Sequence, residues 1–230
     1  MNRHIEVERR WAPLLVGLVA AAGTAGRSAS AAIVPPRAPS SAVVVLAGGC
    51  YWGVESVFRH VRGITSVTSG YASPVPAAGT ASRGPAEAVR IVYDPSRISY
   101  RQILDVFFSV VHDPTQLDRQ GPDVGPEYRS IVFVDGAAQR RVVRTYIDSL
   151  SAAHVFPKPI VTRIAALQSF KRVDDSQQRY AERHPTDPYI VTYDVPKVKA
   201  LRQRFPRLYR DGLSAGEHAA RASHGSVREQ

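Results

Sequence analysis

Apolar positions along this chain follow two periods that alternate from one segment to the next. Val43-Val44-Val45-Leu46 is a β-favouring run that leads into two glycines, Gly48 and Gly49. Directly afterwards Val54, Val57, Phe58 and Val61 stand at i, i+3, i+4 and i+7, the spacing of one helix face. Gly63 predicts the stop. Residues 64–71 and 86–93 read as strands, the second closed by Asp94-Pro95. Residues 72–85 between them are rich in Pro, Gly, Ala and Ser and read as a loop. Ser99 predicts an N-cap for a helix with Ile103, Leu104, Phe107, Phe108 and Val111 on its buried face. Residues 117–128 form a second irregular stretch, of the kind that often carries function on a compact scaffold.

Residues 129–135 predict a strand and 136–153 a helix with Val142, Val143, Tyr146, Ile147 and Leu150 facing inward. Residues 159–167 predict a further strand, and 174–183 a polar helix ending before Pro185. The remainder wraps over the core as far as residue 212, and from Leu213 a polar, small-residue tail is expected to be disordered. The order β-α-β-β-α-β-α-β predicts an α+β fold, a two-layer α/β sandwich with one mixed sheet, a ferredoxin-like core and a wrapping C-terminal coil.

The N-terminus changes the picture of where the domain begins. Arg3, Arg9 and Arg10 precede an apolar run from Trp11 to Ala22, and Ala29-Ser30-Ala31 offers a small-residue cleavage site. That order is the pattern of a secretory signal, with an uncleaved N-terminal anchor as the alternative. Export to a bacterial periplasm or secretion is therefore expected. Residues 1–31 are read as signal or anchor, 32–41 as linker, 42–212 as the catalytic domain and 213–230 as tail. The net charge is +10 with pI about 10.1. The arginines are dispersed and no nucleic-acid-binding signature accompanies them, so no nucleic-acid partner is expected. Seven histidines without paired ligand spacing predict no protein-bound metal.

One cysteine in 230 residues excludes an internal disulfide. Cys50 falls at a strand-to-helix corner, where free backbone N–H groups and the helix dipole favour an anion. The expectation is a reactive thiol that ionises more readily than a free cysteine. Strand alternation puts Glu87 on the side of Val89, Ile91 and Tyr93, either as a rim residue or as a half-buried acid whose pKa desolvation raises. Glu55 falls off the apolar stripe of the first helix and is expected to be solvated.

The motifs then point to a family. Gly49-Cys50-Tyr51-Trp52-Gly53 resembles the G-C-F-W-G signature of the peptide methionine sulfoxide reductase A family. Gly70-Tyr71, Ala86-Glu87-Ala88-Val89-Arg90, Tyr93-Asp94-Pro95, His112-Asp113-Pro114, Arg119 to Asp123 and Tyr128-Arg129-Ser130 match in the family's order. The resemblance covers residues 43–190. It implies Cys50 as the nucleophile on the sulfoxide sulfur, and Glu87 as donor of a proton or hydrogen bond to the sulfoxide oxygen. Tyr51 and Trp52 would form the apolar pocket for the ε-methyl group, with Asp123 and Tyr128 positioning substrate. It further implies reduction of the S epimer of methionine sulfoxide, free or in proteins, by a monomer without bound cofactor.

The chain departs from that pattern in its shortened loop 72–85, which lacks the family's further active-site tyrosine. The usual Gly-His is Gly84-Pro85, and Asp175-Ser176-Gln177 replaces a Tyr-His-Gln motif. The C-terminal resolving cysteines of many members are missing too. A sulfenic acid at Cys50 would therefore need an external thiol donor: a thioredoxin-like protein, a glutaredoxin-like protein or a small thiol. Two other readings compete. One is a cysteine hydrolase with His112 or His60 as base, although His112 reads as structural. The other is a degenerate member that binds oxidised peptides or senses redox state without turnover.

Overall fold

The computed structural model describes residues 41–76 and 83–212. The expected signal or anchor, most of the linker, the centre of the 72–85 loop and the tail lie outside the described residues. Among the described residues no helix is long and apolar enough to cross a membrane.

Strand β1 (Ala42–Ala47) runs into helix α1 (Tyr51–Arg59), then β2 (Ile64–Pro74) and β3 (Ala86–Tyr93). Helix α2 (Tyr100–Val106) follows and widens into a π-turn over Phe107–Val111. Its start is a full capping box, in which Gln102 N–H donates to Ser99 Oγ (3.2 Å) and Ser99 N–H to Gln102 Oε1 (2.9 Å). The stretch 117–128 is more ordered than a loop. It holds a short hairpin of β4 (Arg119–Gln120) and β5 (Asp123–Val124), then a 3₁₀ turn at Pro126–Tyr128. Next come β6 (Ile131–Val134), α3 (Gly136–Ala152) and β7 (Arg163–Arg172). Helix α4 (Tyr180–Arg183), a π-turn at Ile190–Asp194 and α5 (Val195–Arg204) are the last elements among the described residues.

The fold is α+β with a mixed sheet, but the sheet is not one open layer of a sandwich. Its order is β1-β3-β2-β7-β6, and β6 pairs back onto β1, closing a five-stranded barrel. All pairs are antiparallel except β6 with β7. The closing strand begins later than expected. Pro157 and Pro159 lack the N–H that a ladder needs, and pairing starts only where Arg163 N–H donates to the Ser130 carbonyl (3.0 Å).

Strand alternation separates two cores. The barrel interior holds Val45, Ala47, Ala72, Ala86, Ala88, Ile131 and Phe133, with Ala165 and Phe170 against them. So small a barrel is filled by these few side chains, with alanines offsetting Ile131 and the two phenylalanines. At Gly70 a Cβ would stand 2.5 Å from Phe170 Cζ, so glycine is needed there. The outer face (Val44, Leu46, Val89, Ile91, Val132) packs against Val54, Val57 and Phe58 of α1 and Ile103, Leu104 and Phe107 of the α2 region. These packed side chains are aliphatic or aromatic and include no methionine.

Three further expectations are corrected. Val142 is 48% exposed, because α3 turns only Val143, Tyr146, Ile147 and Leu150 toward the core. Residues 175–179 are turns instead of helix, because Arg179 adopts a left-handed conformation (φ 55°, ψ 34°) that interrupts the run. Glu55 is buried at 1% exposure, because that same segment packs over its face of α1.

Candidate active site

Cys50 occupies the N-cap position of α1, immediately after Gly49 at φ +95°. A Cβ at Gly49 would lie 2.6 Å from the Gln120 side chain, so glycine is what lets the β4–β5 hairpin approach the corner. Gln120 ties that hairpin down, accepting from Asp113 N–H (3.2 Å) and donating to the Asp113 carbonyl (3.1 Å). The neighbouring strand position carries Asp123.

Glu87 lies on the α1 side of the barrel, as alternation predicts, and is 7% exposed. Its Oε2 accepts from Tyr51 N–H at 3.0 Å, a free N–H of the first helical turn. Tyr71 stands directly opposite Glu87 in the β2–β3 register. Its ring meets Tyr51 edge-on (6.1 Å, 89°).

The Trp52 indole is sandwiched. One face stacks on Tyr180 (3.8 Å, 10°), and Tyr189 meets it edge-on (5.9 Å, 81°). The indole N–H donates to Gln177 Oε1 at 3.2 Å, and the Tyr51 hydroxyl reaches the same oxygen at 3.5 Å. The Tyr189 hydroxyl donates to Asp123. Behind the first turn, Asp194 is fully buried and pairs with Lys197 (3.1 Å) where Gly53 offers no side chain to exclude it.

The electrostatics correct one expectation. Burial pushes the Cys50 thiol far above its ordinary value, and the charges of Glu87, Asp194 and Asp123 add to this. The Trp52 backbone N–H opposes the rise without overcoming it. At neutral pH Cys50 is therefore a thiol. The helix terminus does favour an anion, but desolvation and three carboxylates outweigh it. Glu87 is pushed up to about 7, chiefly by burial, with Asp123 and Glu127 adding to the rise. The Tyr51 N–H and the Cys50 side chain pull it down. Tyr128 is raised to about 12 by burial and by Glu87, Asp123 and Cys50, which places its hydroxyl in the same field.

Cys50, Glu87, Tyr51, Trp52, Asp123 and Tyr128 thus fall in one cluster. The sequence reading missed Tyr71, Gln177, Tyr180, Tyr189 and Asp194. The signal for Tyr180 and Tyr189 was available, since both are aromatics in an otherwise polar C-terminal stretch. Gln177 was marked only as the one match to the Tyr-His-Gln motif. His112 is structural, as its place after a helix suggests. It is buried, with Nδ1 at 3.0 Å from the Phe107 carbonyl and Nε2 at 2.7 Å from Ser130 Oγ. Burial lowers its pKa to about 4. His60 bonds through Nδ1 to the Ser56 carbonyl (2.7 Å) and stacks on Tyr209. Neither imidazole is placed to activate the thiol, and the hydrolase reading loses its base. Among the described residues no group of three or more His, Cys, Asp or Glu could hold a metal ion.

A cysteine flanked by a carboxylic acid and aromatic walls, on a barrel wrapped by helices, is a site suited to redox chemistry at sulfur. The profile of the family "Peptide methionine sulfoxide reductase" matches residues 42–208. Peptide methionine sulfoxide reductase MsrA 2 of Mesorhizobium japonicum is 45% identical over 178 residues, 75% of this chain and 91% of that protein. MsrA 2 of Synechocystis is 40% identical, over 70% of this chain and 78% of its own. Among solved structures, reduced Mxr1 of Saccharomyces cerevisiae superposes with a TM-score of 0.55 at 26% identity, covering 64% of this chain and 87% of that one. Methionine sulfoxide reductase A of Corynebacterium diphtheriae gives 0.52 at 27% identity, covering 65% and 77%. The chain belongs to the peptide methionine sulfoxide reductase A family, and its activity is the reduction of methionine sulfoxide.

Proposed function

We propose that Cys50 reduces the S epimer of methionine sulfoxide through a sulfenic acid that an external thiol then resolves. The observation that carries this reading is the contact of a protonated thiol with a carboxyl group that titrates near neutrality. Sulfoxide oxygen leaves only when protonated, so an acid must stand beside the nucleophile. Glu87 lends its proton to the sulfoxide oxygen as the Cys50 sulfur attacks the substrate sulfur. The sulfur–sulfur bond formed by that attack and the substrate's sulfur–oxygen bond both break as the protonated oxygen passes to the Cys50 sulfur, where a new sulfur–oxygen bond forms. The Cys50 sulfur is oxidised by two electrons and the substrate is reduced to the thioether. The thiol proton compensates Glu87, and the sulfenic hydroxyl retains one proton.

Trp52, with Tyr51 beside it, supplies an apolar wall for the S–CH₃ group, which offers no hydrogen bond to read. The Tyr128 hydroxyl assists at the oxygen, and Asp123 fixes Tyr189 at the rim. With one cysteine in the sequence, resolution runs through a mixed disulfide with a donor thiol, releasing water, and a second donor thiol restores Cys50. The donor class is a thioredoxin-like or glutaredoxin-like protein or a small thiol. The basic, apolar and small-residue order of the N-terminus supports action outside the cytoplasm. The strand order β6-β1-β3-β2 with α1 and α2 as crossovers supports a ferredoxin-like description of the core, to which β7 is added.

The deciding experiment is mass spectrometry of Cys50 after one turnover without reductant, with dimedone present. Equal amounts of methionine and of a Cys50–dimedone adduct are expected. Recovery of free thiol alongside product would overturn the sulfenic step. Steady turnover with excess dithiothreitol, abolished in Cys50→Ser, separates catalysis from a binding-only role.

A further inference from the structure

Glu55 is a buried acid that the chemistry above does not use, one helical turn beyond Cys50. Its Oε2 accepts from Ser69 Oγ on β2 (2.8 Å) and from Arg179 N–H (2.9 Å). Gln178 joins the same junction, accepting from Ser69 N–H (2.9 Å) and donating to the Ser69 carbonyl (2.8 Å). Arg59, one turn further along α1, pairs with Glu182. These bonds fasten residues 177–182 onto the back of α1. At the centre of the fastening, Arg179 holds a left-handed conformation, which a side-chain-bearing residue adopts only when its surroundings hold it there. The residues on either side of this pinned turn are Gln177 and Tyr180, the two that clasp Trp52 by its N–H and by its face.

We propose that Glu55 is a positioning residue: by holding the Arg179 turn it seats Gln177 and Tyr180 on Trp52 and so sets the wall of the methyl pocket. This rests on the reading of Trp52 as that wall. Glu55 then governs how well substrate is held and leaves the bond-making step at Cys50 largely untouched.

The test uses the full chain with Trp11→Phe, which leaves Trp52 as the sole tryptophan. Glu55→Ala is expected to raise KM for a methionine sulfoxide peptide by about tenfold, with kcat within about threefold, the signature of lost uniform binding. Trp52 emission shifts to the red as the indole loses its cover. Glu55→Gln keeps an oxygen that both Ser69 and Arg179 can reach, and restores KM. Arg179→Gly added to Glu55→Ala also recovers KM and emission, because glycine takes up the left-handed turn without being held. If Glu55→Ala is insoluble, Glu55→Asp, too short to reach both partners, carries the same expectation.

Unchanged KM and emission in Glu55→Ala or Glu55→Asp would overturn the proposal, as would a loss confined to kcat. Trp52→Ala separates the two levels. If it leaves KM unchanged, the pocket reading itself fails. If it raises KM while the Glu55 variants do not, only the positioning role fails.

Discussion

Lowering the proton affinity demanded of Glu87, or removing its proton altogether, is the most direct probe of the chemistry. Its pKa stands at about 7 against an ordinary 4.5, raised chiefly by burial. Each unit is 1.36 kcal/mol, so the site favours the protonated carboxyl by about 3 kcal/mol more than water does. If that proton is lent to the sulfoxide oxygen, the single-turnover rate tracks the protonated fraction. That fraction is about 90% at pH 6, about half at pH 7 and about 10% at pH 8. Cys50 alone would give the opposite slope, since a thiol raised far above its ordinary value ionises further as pH rises.

The assay is rapid-quench measurement of methionine formed from a sulfoxide peptide in slight excess over enzyme, without reductant. Thiol exchange then cannot contribute its own pH dependence. The expected profile falls about fifteenfold between pH 7 and pH 8.5. Glu87→Gln is expected to be about 10²- to 10⁴-fold slower, the span of general-acid contributions, and to lose the fall near pH 7. A rate that rises through pH 7, or a Glu87→Gln variant keeping the wild-type profile, would refute the reasoning.

Other outcomes follow from the same geometry. Glu87 also makes stability depend on pH: its folded pKa is raised, so its contribution is present below about 4.5 and lost as pH climbs through about 7. Urea unfolding should therefore show Glu87→Gln more stable than wild type at pH 8, by about 1–3 kcal/mol, with the difference gone near pH 4. His112→Ala removes one of the two partners of the Ser130 hydroxyl and leaves a cavity, and should cost about 2–4 kcal/mol. Its folded protein at low temperature should keep kcat/KM within about threefold, and a far larger loss would reopen a role for the imidazole in catalysis. Gly70→Ala forces a methyl against Phe170 inside the barrel and should cost about 1–3 kcal/mol by chemical denaturation.

What could be read from the sequence was local. The side on which Glu87 lies follows from alternation within eight residues of one strand. The start of α2 follows from Ser99 and Gln102, three residues apart. What could not be read depends on distant segments. Glu55 looks solvated on a helical wheel, and only a turn 124 residues later buries it. The Cys50 thiol looks acidic at its corner, until carboxylates from β3, β5 and the Ile190–Asp194 turn are brought around it. Closure of the sheet turns on β7 meeting both β2 and β6, a register that no local pattern in residues 163–172 reveals. Val142 fits the apolar stripe of α3 yet faces water, because periodicity names a stripe without saying how much of it the sheet covers.

The packing of this molecule has a bearing on the conditions it meets. Its sole methionine is Met1, and both cores are filled with valine, isoleucine, leucine, alanine and rings. An oxidant that converts thioethers to polar sulfoxides loosens interiors that rely on them. Among the described residues it finds none to convert. The described domain is thereby spared the lesion that its own activity reverses, and Cys50 carries the one sulfur among the described residues.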